Sequence, residues 1–359
     1  MSKILIVTNH SYMLWQFRRE LIQQLLQENE VVISTPFVGH EQDFQAMGCK
    51  MINTSLERRG INPVTDCKLL RTYNQMLKKE SPDYVITYSI KPNVYMGFLC
   101  RMKKVPYYVN VQGLGTAFQK KGLEKIVTIM YRTALKKAKT VFFENTKNAK
   151  IFEEKKITPA EQQTILPGAG VNLEYYQYSP YVLHDSVHFL YLGRIMKEKG
   201  VDELFQAYEK LHEKYGNRVT LDLVGFFEDE YKEQVEKLVA EGKVIFHGFQ
   251  EDPRPYYRDT NCVVLPSYHE GMSNVLLEAS STGRAIITSD IPGCREAVDD
   301  KKSGYLCNVK DWKSLYDQMD CFMNLSEEER EAMGRAGRSK MEKEFDKKQV
   351  VTMTIEHLI

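Results

Sequence analysis

The chain launches the same pattern twice. "KILIVTN", residues 3–9, is a short apolar run, and "WQFRRELIQQLLQE" follows it with apolar positions at helical spacing. "VHFLYLGRI", residues 187–195, is a second such run, followed by "GVDELFQAYEKLHEKYG". Short apolar strands without alternation are buried on both faces, the condition inside a parallel sheet covered by helices. After the first come "EVVISTP", "DYVITYS", "YYVNVQG" and "TVFFENT"; after the second come "VTLDLVG", "KVIFHG", "CVVLPS" and "AIITSD", with helical stretches between. The pattern predicts an α/β chain of two doubly wound, Rossmann-like domains in tandem. A length of 359 residues agrees, being long for one core.

Regular patterning stops across "YYQYSPYVLHDS", residues 175–186, where Pro180 interrupts. The expected domains are therefore 1–178 and 179–341, with a last helix at about 342–359 packing back on the first. Ligands of such folds bind beyond the carboxyl ends of the strands, so two facing domains would enclose a cleft lined by loops from both.

Several classes of function are disfavoured. "TNHSYMLWQF" contains no glycine, and neither first strand is followed by GxGxxG, which argues against a nicotinamide or flavin dinucleotide. A Walker A sequence, an HExxH motif and a His/Asp cluster are lacking, so no metal or cofactor is expected. Seven cysteines without a CxxC pair indicate neither a disulfide framework nor a zinc site. No segment approaches the ~18 apolar residues needed to span a bilayer, and "MSKILIVTN" reads as a buried strand rather than a signal peptide. A reduced, cytoplasmic protein fits best.

The formal net charge of +1 hides an asymmetry: residues 1–177 carry +10 and residues 178–359 carry −9. Only the first half suits an anionic partner. Its densest part, "QKKGLEKIVTIMYRTALKKAKT", reads as an amphipathic helix with Ile126, Ile129, Met130, Thr133 and Leu135 inward. The cations there are Lys120, Lys121, Lys125, Arg132, Lys136, Lys137 and Lys139. Such a run is either a solvated face or a patch for an anionic membrane surface. Nothing points to nucleic acid.

In the second half, "LGRIMKEKGVDEL" puts Arg194 and Lys199 on one strand-to-helix turn, where two cations can converge on a diphosphate. A plain surface loop would also contain them. "VVLPSYHEGMSNVLLEASSTG" strengthens the first reading: a strand, an exit loop with Glu270, then a helix capped by Ser273. The amides from Gly271 through Met272 and Ser273 to Asn274 would form an anion-binding helix N-terminus. Glu270 stands just before it, able to accept hydrogen bonds from hydroxyls. Glu278, further in, could grip the two hydroxyls of a ribose.

Arg194…Lys199-Gly200 with Glu270-x7-Glu278 resembles the retaining glycosyltransferases of family 4, which have the two-domain GT-B fold. The resemblance spans nearly the whole chain, including "NHSYMLWQFRREL", "VQGLG" at 111–115, "PGAGVN" at 167–172 and "GRAIITSDIPGCREAV" at 283–298. Within the family it looks most like bacterial enzymes that extend undecaprenyl-diphosphate-linked glycans, N-acetylgalactosaminyltransferases among them.

The resemblance implies a UDP-sugar donor and a polyprenyl-diphosphate-linked glycan acceptor, with the protein peripheral on the inner face of the cell membrane. Capsule, O-antigen or other surface polysaccharide would be the product. It also implies roles. Arg194 and Lys199 would bind the donor diphosphate, Glu270 a hydroxyl of the donor sugar, and Glu278 the ribose. Backbone near Phe249 would read the base, and Gln112 and Gly113 would face the donor sugar. Many members have a histidine near the transferred sugar and a glycine-rich first loop. Here Lys91 and Gln112 stand for the one and Asn9, His10 and Ser11 for the other; Asn9, His10, Ser11 and Lys91 are acceptor-side candidates.

Two acids also invite comparison with a glycosidase pair, but Glu278 inside a helix is misplaced for that. A UDP-sugar epimerase on the same fold and a non-catalytic sugar-nucleotide-binding partner of a glycan-synthesis complex are the alternatives. The first needs an additional acid–base set around the sugar, which the sequence does not display.

Overall fold

The computed structural model describes residues 1–56, 62–114, 118 and 122–358. By contact the chain divides into two compact units, Met1–Ala169 with Lys348–Ile359, and Gly170–Lys347.

The first unit alternates strand and helix. Its order is β1 (Lys3–Val7), α1 (Ser11–Leu26), β2 (Glu30–Thr35), α2 (Glu41–Met47), β3 (Lys50–Asn53), α3 (Pro63–Glu80) and β4 (Tyr84–Tyr88). There follow α4 (Ile90–Lys103), β5 (Tyr107–Val111), α5 (Leu123–Leu135), β6 (Thr140–Phe143), α6 (Thr146–Glu154) and β7 (Gln163–Ile165). The strands pair in the order β3-β2-β1-β4-β5-β6-β7, all parallel. Ile4, Leu5, Ile6 and Val7 are all buried, and they divide between two hydrophobic clusters, one on each face of the sheet. This is why β1 shows no alternation. Polar caps start the helices: Asn62 accepts from the Val64 and Thr65 amides ahead of α3, and Asn145 accepts from Asn148 ahead of α6.

The second unit repeats the plan with β8 (Val187–Leu192), α7 (Val201–Tyr215), β9 (Val219–Val224), α8 (Lys232–Ala240), β10 (Val244–Gly248) and α9 (Arg254–Asp259). It continues with β11 (Cys262–Leu265), α10 (Asn274–Ser281), β12 (Ala285–Ser289), β13 (Gly304–Cys307), α11 (Trp312–Met323) and α12 (Glu327–Glu344). Strand order is β10-β9-β8-β11-β12-β13, again parallel. The order reverses between β1 and β4 in one sheet and between β8 and β11 in the other. Loops leaving those strands therefore diverge and leave a crevice, the usual binding place of such sheets.

Two differences from the sequence reading have local causes. The segment after Gly170 is fastened to the second unit, so the divide falls at Ala169–Gly170 rather than at 178–179. The Tyr176 carbonyl accepts from Ser281 and Arg338, and the Ser179 amide donates to Thr282. At the other end α12 runs to Glu344 in the second unit, and the last helix, α13 (Lys347–Glu356), begins at 347. Val350 and Leu358 then pack in the core beside β1 and α1.

The second difference is the face of α5. Val127, Tyr131, Ala134 and Leu135 point inward, whereas Ile126 is 52 % and Ile129 60 % exposed, and Thr133 is exposed too. The inward register is set by α4, whose Gly97 lies against Ala134 and whose Arg101 donates to the Thr133 carbonyl. Lys125, Arg132, Lys136, Lys137 and Lys139 are exposed. Gly115, Lys120 and Lys121 lie outside the described residues.

Candidate active site

The switch point of the second sheet brings the loop after β8 against the loop after β11. Gly200 makes this approach possible. Its φ is +72°, and a Cβ there would stand 2.0 Å from the Pro266 carbonyl oxygen, so only glycine fits. The Tyr268 amide donates to the Glu198 carbonyl at 2.9 Å, completing the seam. Lys199 is thereby held over Glu270, and its Nζ donates to Glu270 Oε1 at 2.5 Å. Ser267 Oγ donates to the same oxygen at 2.8 Å. Both charged side chains are largely sheltered, at 18 % and 12 % exposure. Cation and carboxylate thus form one unit, joined across residues that the sequence separates by 71 positions.

Arg194 leaves the same strand and is more exposed. Its Nη1 lies 3.3 Å from Glu228 Oε2, and its carbonyl accepts from the Tyr191 hydroxyl at 2.6 Å. That hydroxyl is wholly buried, so its proton stays in place and the turn keeps its shape.

At the start of α10 Ser273 occupies the cap position, but its side chain makes no capping hydrogen bond. Its amide donates instead to the Gly293 carbonyl at 2.8 Å. The expected run of four presented amides is shortened accordingly; Asn274 and Val275 supply the first-turn donors that no intrahelical acceptor serves. Gly293, φ +88°, lies so close that a Cβ would meet the Gly271 carbonyl at 2.5 Å. "IPGC" is therefore a brace behind the Glu270 loop, with the Gly293 amide itself donating to Glu296 at 2.6 Å. Met272 is buried beneath the loop.

Glu278 is elsewhere in its bonding. It is 6 % exposed and accepts hydrogen bonds from Tyr257 (2.8 Å) and Tyr176. Burial pushes its pKa up to about 7, against the opposing effect of those two hydroxyls and of Lys347. Phe249, after β10, is 55 % exposed, and its ring meets that of Phe226 edge-on at 6.1 Å. Two open aromatic rings at neighbouring strand ends offer faces for a planar base.

In the first unit the candidates divide. Asn9 Oδ1 accepts from Ser89 at 2.8 Å, joining the exits of β1 and β4. Ser89 itself has φ 75°, a costly conformation for a residue other than glycine. His10 caps α1 through Met13. Ser11 is wholly buried, donating to Glu41 and accepting from the Val38 amide. Lys91 is paired with Asp66 at 2.8 Å, both nearly buried. Gln112 adjoins Arg18, Asn110 and Glu144, while Gly113 has open space where a Cβ would be. Sequence reasoning passed over Arg18 and Glu144, a buried ion pair at 2.7 Å; an arginine within an amphipathic helix looks like any solvated charge. It also passed over Ser267 and Gly293. Their signal was present, a polar residue at one strand exit and a glycine at the next.

A cation braced on a carboxylate, beside a helix N-terminus at the switch point of a Rossmann-like sheet, is an arrangement suited to an anionic ligand. The family description "glycosyl transferases group 1" matches residues 182–340, and "glycosyl transferase 4-like" matches residues 3–145. The chain belongs to the family 4, group 1 glycosyltransferases, a retaining family with the GT-B fold, and transfers sugar from a nucleotide sugar. It is 24 % identical over 335 residues, 86 % of each chain, to the N,N'-diacetylbacillosaminyl-diphospho-undecaprenol alpha-1,3-N-acetylgalactosaminyltransferase of Campylobacter jejuni. It is 28 % identical over 187 residues, 49 % of each chain, to the capsular polysaccharide biosynthesis glycosyltransferase CapM of Staphylococcus aureus. Among solved structures, Anabaena HepE in complex with UDP and glucose superposes with a TM-score of 0.82 at 15 % identity, over 100 % of this chain and 99 % of that one.

Proposed function

We propose that the protein moves a hexose or N-acetylhexosamine from a UDP-sugar to a polyprenyl-diphosphate-linked glycan during assembly of a surface polysaccharide. The observation that carries the donor half is the Lys199–Glu270 pair at the β8/β11 switch point. Lys199 and Arg194 take the diphosphate, helped by the amides that open α10. Glu270, relieved of part of its charge by Lys199, accepts from a hydroxyl of the sugar. Phe249 lies toward the base and Glu278 toward the ribose. In a retaining transfer of this kind the acceptor hydroxyl attacks the face that the phosphate vacates. A diphosphate oxygen takes the proton, so no protein nucleophile is needed. Rate then comes from stabilising the departing nucleotide anion and from aligning two substrates.

The acceptor half is supported by the relative from Campylobacter, whose own acceptor is an undecaprenol diphosphate, and by the first unit's surface. No helix among the described residues is long and apolar enough to cross a membrane. Exposed Ile126 and Ile129 beside Lys125, Lys136 and Lys137 suit a peripheral contact with an anionic bilayer.

The test is transfer from a panel of UDP-sugars, with and without a polyprenyl-diphosphate glycan. Lys199→Ala and Arg194→Ala should each lower turnover by at least ~100-fold, as removal of a donor to a developing anion does. Folded variants with near-normal rates would refute the diphosphate assignment. Sugar isomerisation without acceptor would favour the epimerase reading instead, and UDP-sugar binding without any turnover would favour the non-catalytic one.

A further inference from the structure

Away from the donor grip, three histidines and two aspartates gather on the flank of the second unit. His188 is on β8, Asp222 on β9 and His247 on β10; His184 precedes β8 and Asp259 ends α9. His247 Nε2 and Asp222 Oδ1 are 2.6 Å apart, so these two satisfy each other. The remaining three are arranged differently. His184 and His188 stack, ring centroids 4.1 Å apart and planes within 13°. One ligand atom from each of His184, His188 and Asp259 lies within 4.8 Å of the others. The backbone around His188 is fixed by Asn261 and Thr260, whereas no hydrogen bond anchors its imidazole among the described residues. A cavity of about 370 Å³, lined in part by Asp222, His247, Tyr256 and Asp259, opens alongside and supplies an entry path.

We propose that His184, His188 and Asp259 form a binding site for a first-row transition-metal dication of the zinc class. Two imidazoles and one carboxylate are the donor set that such ions prefer, while magnesium and calcium select oxygen. Bonds of about 2.0–2.2 Å require the ligand atoms to draw together by an ångström or so from their present limit. Asp259, with its side chain 73 % exposed, is free to do so, and His188 has only a stacking contact to give up. The Asp259 carbonyl accepts a hydrogen bond from His184 Nε2 at 2.8 Å, which holds the His184 ring beside Asp259. The site is separate from the donor grip. On α9 Tyr257 reaches Glu278, while Tyr256 and Asp259 line the cavity. A bound ion would tie the end of α9 and the segment before β8 to the sheet.

The experiment titrates the full chain, freed of metal with a chelator, with Co²⁺ followed by visible absorption and with Zn²⁺ followed by calorimetry. Wild type, His188→Gln and Asp259→Asn are compared, each with and without UDP. One equivalent should bind, with the intense visible bands of imidazole-ligated Co²⁺. Both variants should bind at least ~10-fold more weakly, and UDP should leave the wild-type signal unchanged. Asp259→Asn alters an exposed side chain, so its loss of binding cannot be blamed on unfolding. Absence of saturable binding, or equal binding by all three proteins, overturns the proposal. So does binding that appears only with UDP, which would place the ion on the diphosphate.

Discussion

At Glu278 the fold carries a carboxyl group into the interior of the second unit, and burial raises its pKa from 4.5 to about 7. The native state therefore holds this proton more tightly than the unfolded chain does. Its stabilising effect is fully present below about pH 4.5 and is lost as pH rises through about 7. Glu278→Gln keeps the shape and removes the titration. Thermal unfolding from about pH 5 to about pH 8 should show the wild type losing on the order of 1–3 kcal/mol relative to the variant. Parallel curves would mean that the carboxylate stays ionised, satisfied by Tyr176 and Tyr257. The residue type and spacing of this acid were legible in the sequence, but its burial was not, because Tyr176 and Tyr257 reach it from distant segments. Ser11 and Lys91 show the converse. Both look like ligand-facing polar residues at strand exits, yet Glu41 and Asp66, from elements well away in sequence, already occupy them.

Elements are held in place by residues whose importance composition conceals. Arg284, at the turn into β12, is fully buried, and burial lowers its pKa to about 10. Its guanidinium donates to five backbone carbonyls: Tyr257, Arg258, Ser179, Pro180 and Gly283. It thus fixes the end of α9 and the 179–180 segment in one step, and with them the Tyr257 hydroxyl that bonds Glu278. Arg284→Met would leave several of those carbonyls buried without donors. At about 1–3 kcal/mol for each such group, chemical denaturation should show a loss of at least ~3 kcal/mol. A loss under ~1 kcal/mol would mean that water replaces the arginine. The same scale explains the misread face of α5. Helical spacing alone permits Ile126 and Ile129 to point inward, since they share a stripe with Thr133. The inward face is chosen instead by Gly97 and Arg101 of α4, which sequence periodicity within α5 cannot register. Strands fared better, because an unbroken apolar run reports burial on both faces by itself.

For the molecule as a whole, the charge asymmetry becomes meaningful once exposure is known. The first 177 residues carry +10 and the rest −9, and the basic excess surrounds a helix that leaves two isoleucines in water. Each cation at an anionic surface contributes about 1 kcal/mol, and each exposed isoleucine up to about 1.5–3 kcal/mol if fully inserted. The two contributions answer differently to salt. The electrostatic one is screened over about 8 Å at physiological ionic strength, whereas the apolar one is not. The wild-type protein should therefore pellet with phosphatidylglycerol-rich vesicles at low salt and be only partly released as salt rises. Lys125→Glu/Lys136→Glu/Lys137→Glu should weaken binding by at least about 100-fold at low salt. Ile126→Ser/Ile129→Ser should still bind at low salt but be released completely at high salt. Neither variant touches the donor grip, so UDP binding should match wild type in both. If wild type stays in the supernatant at every salt concentration, the helix is a solvated face and the lipid acceptor must be reached by another surface.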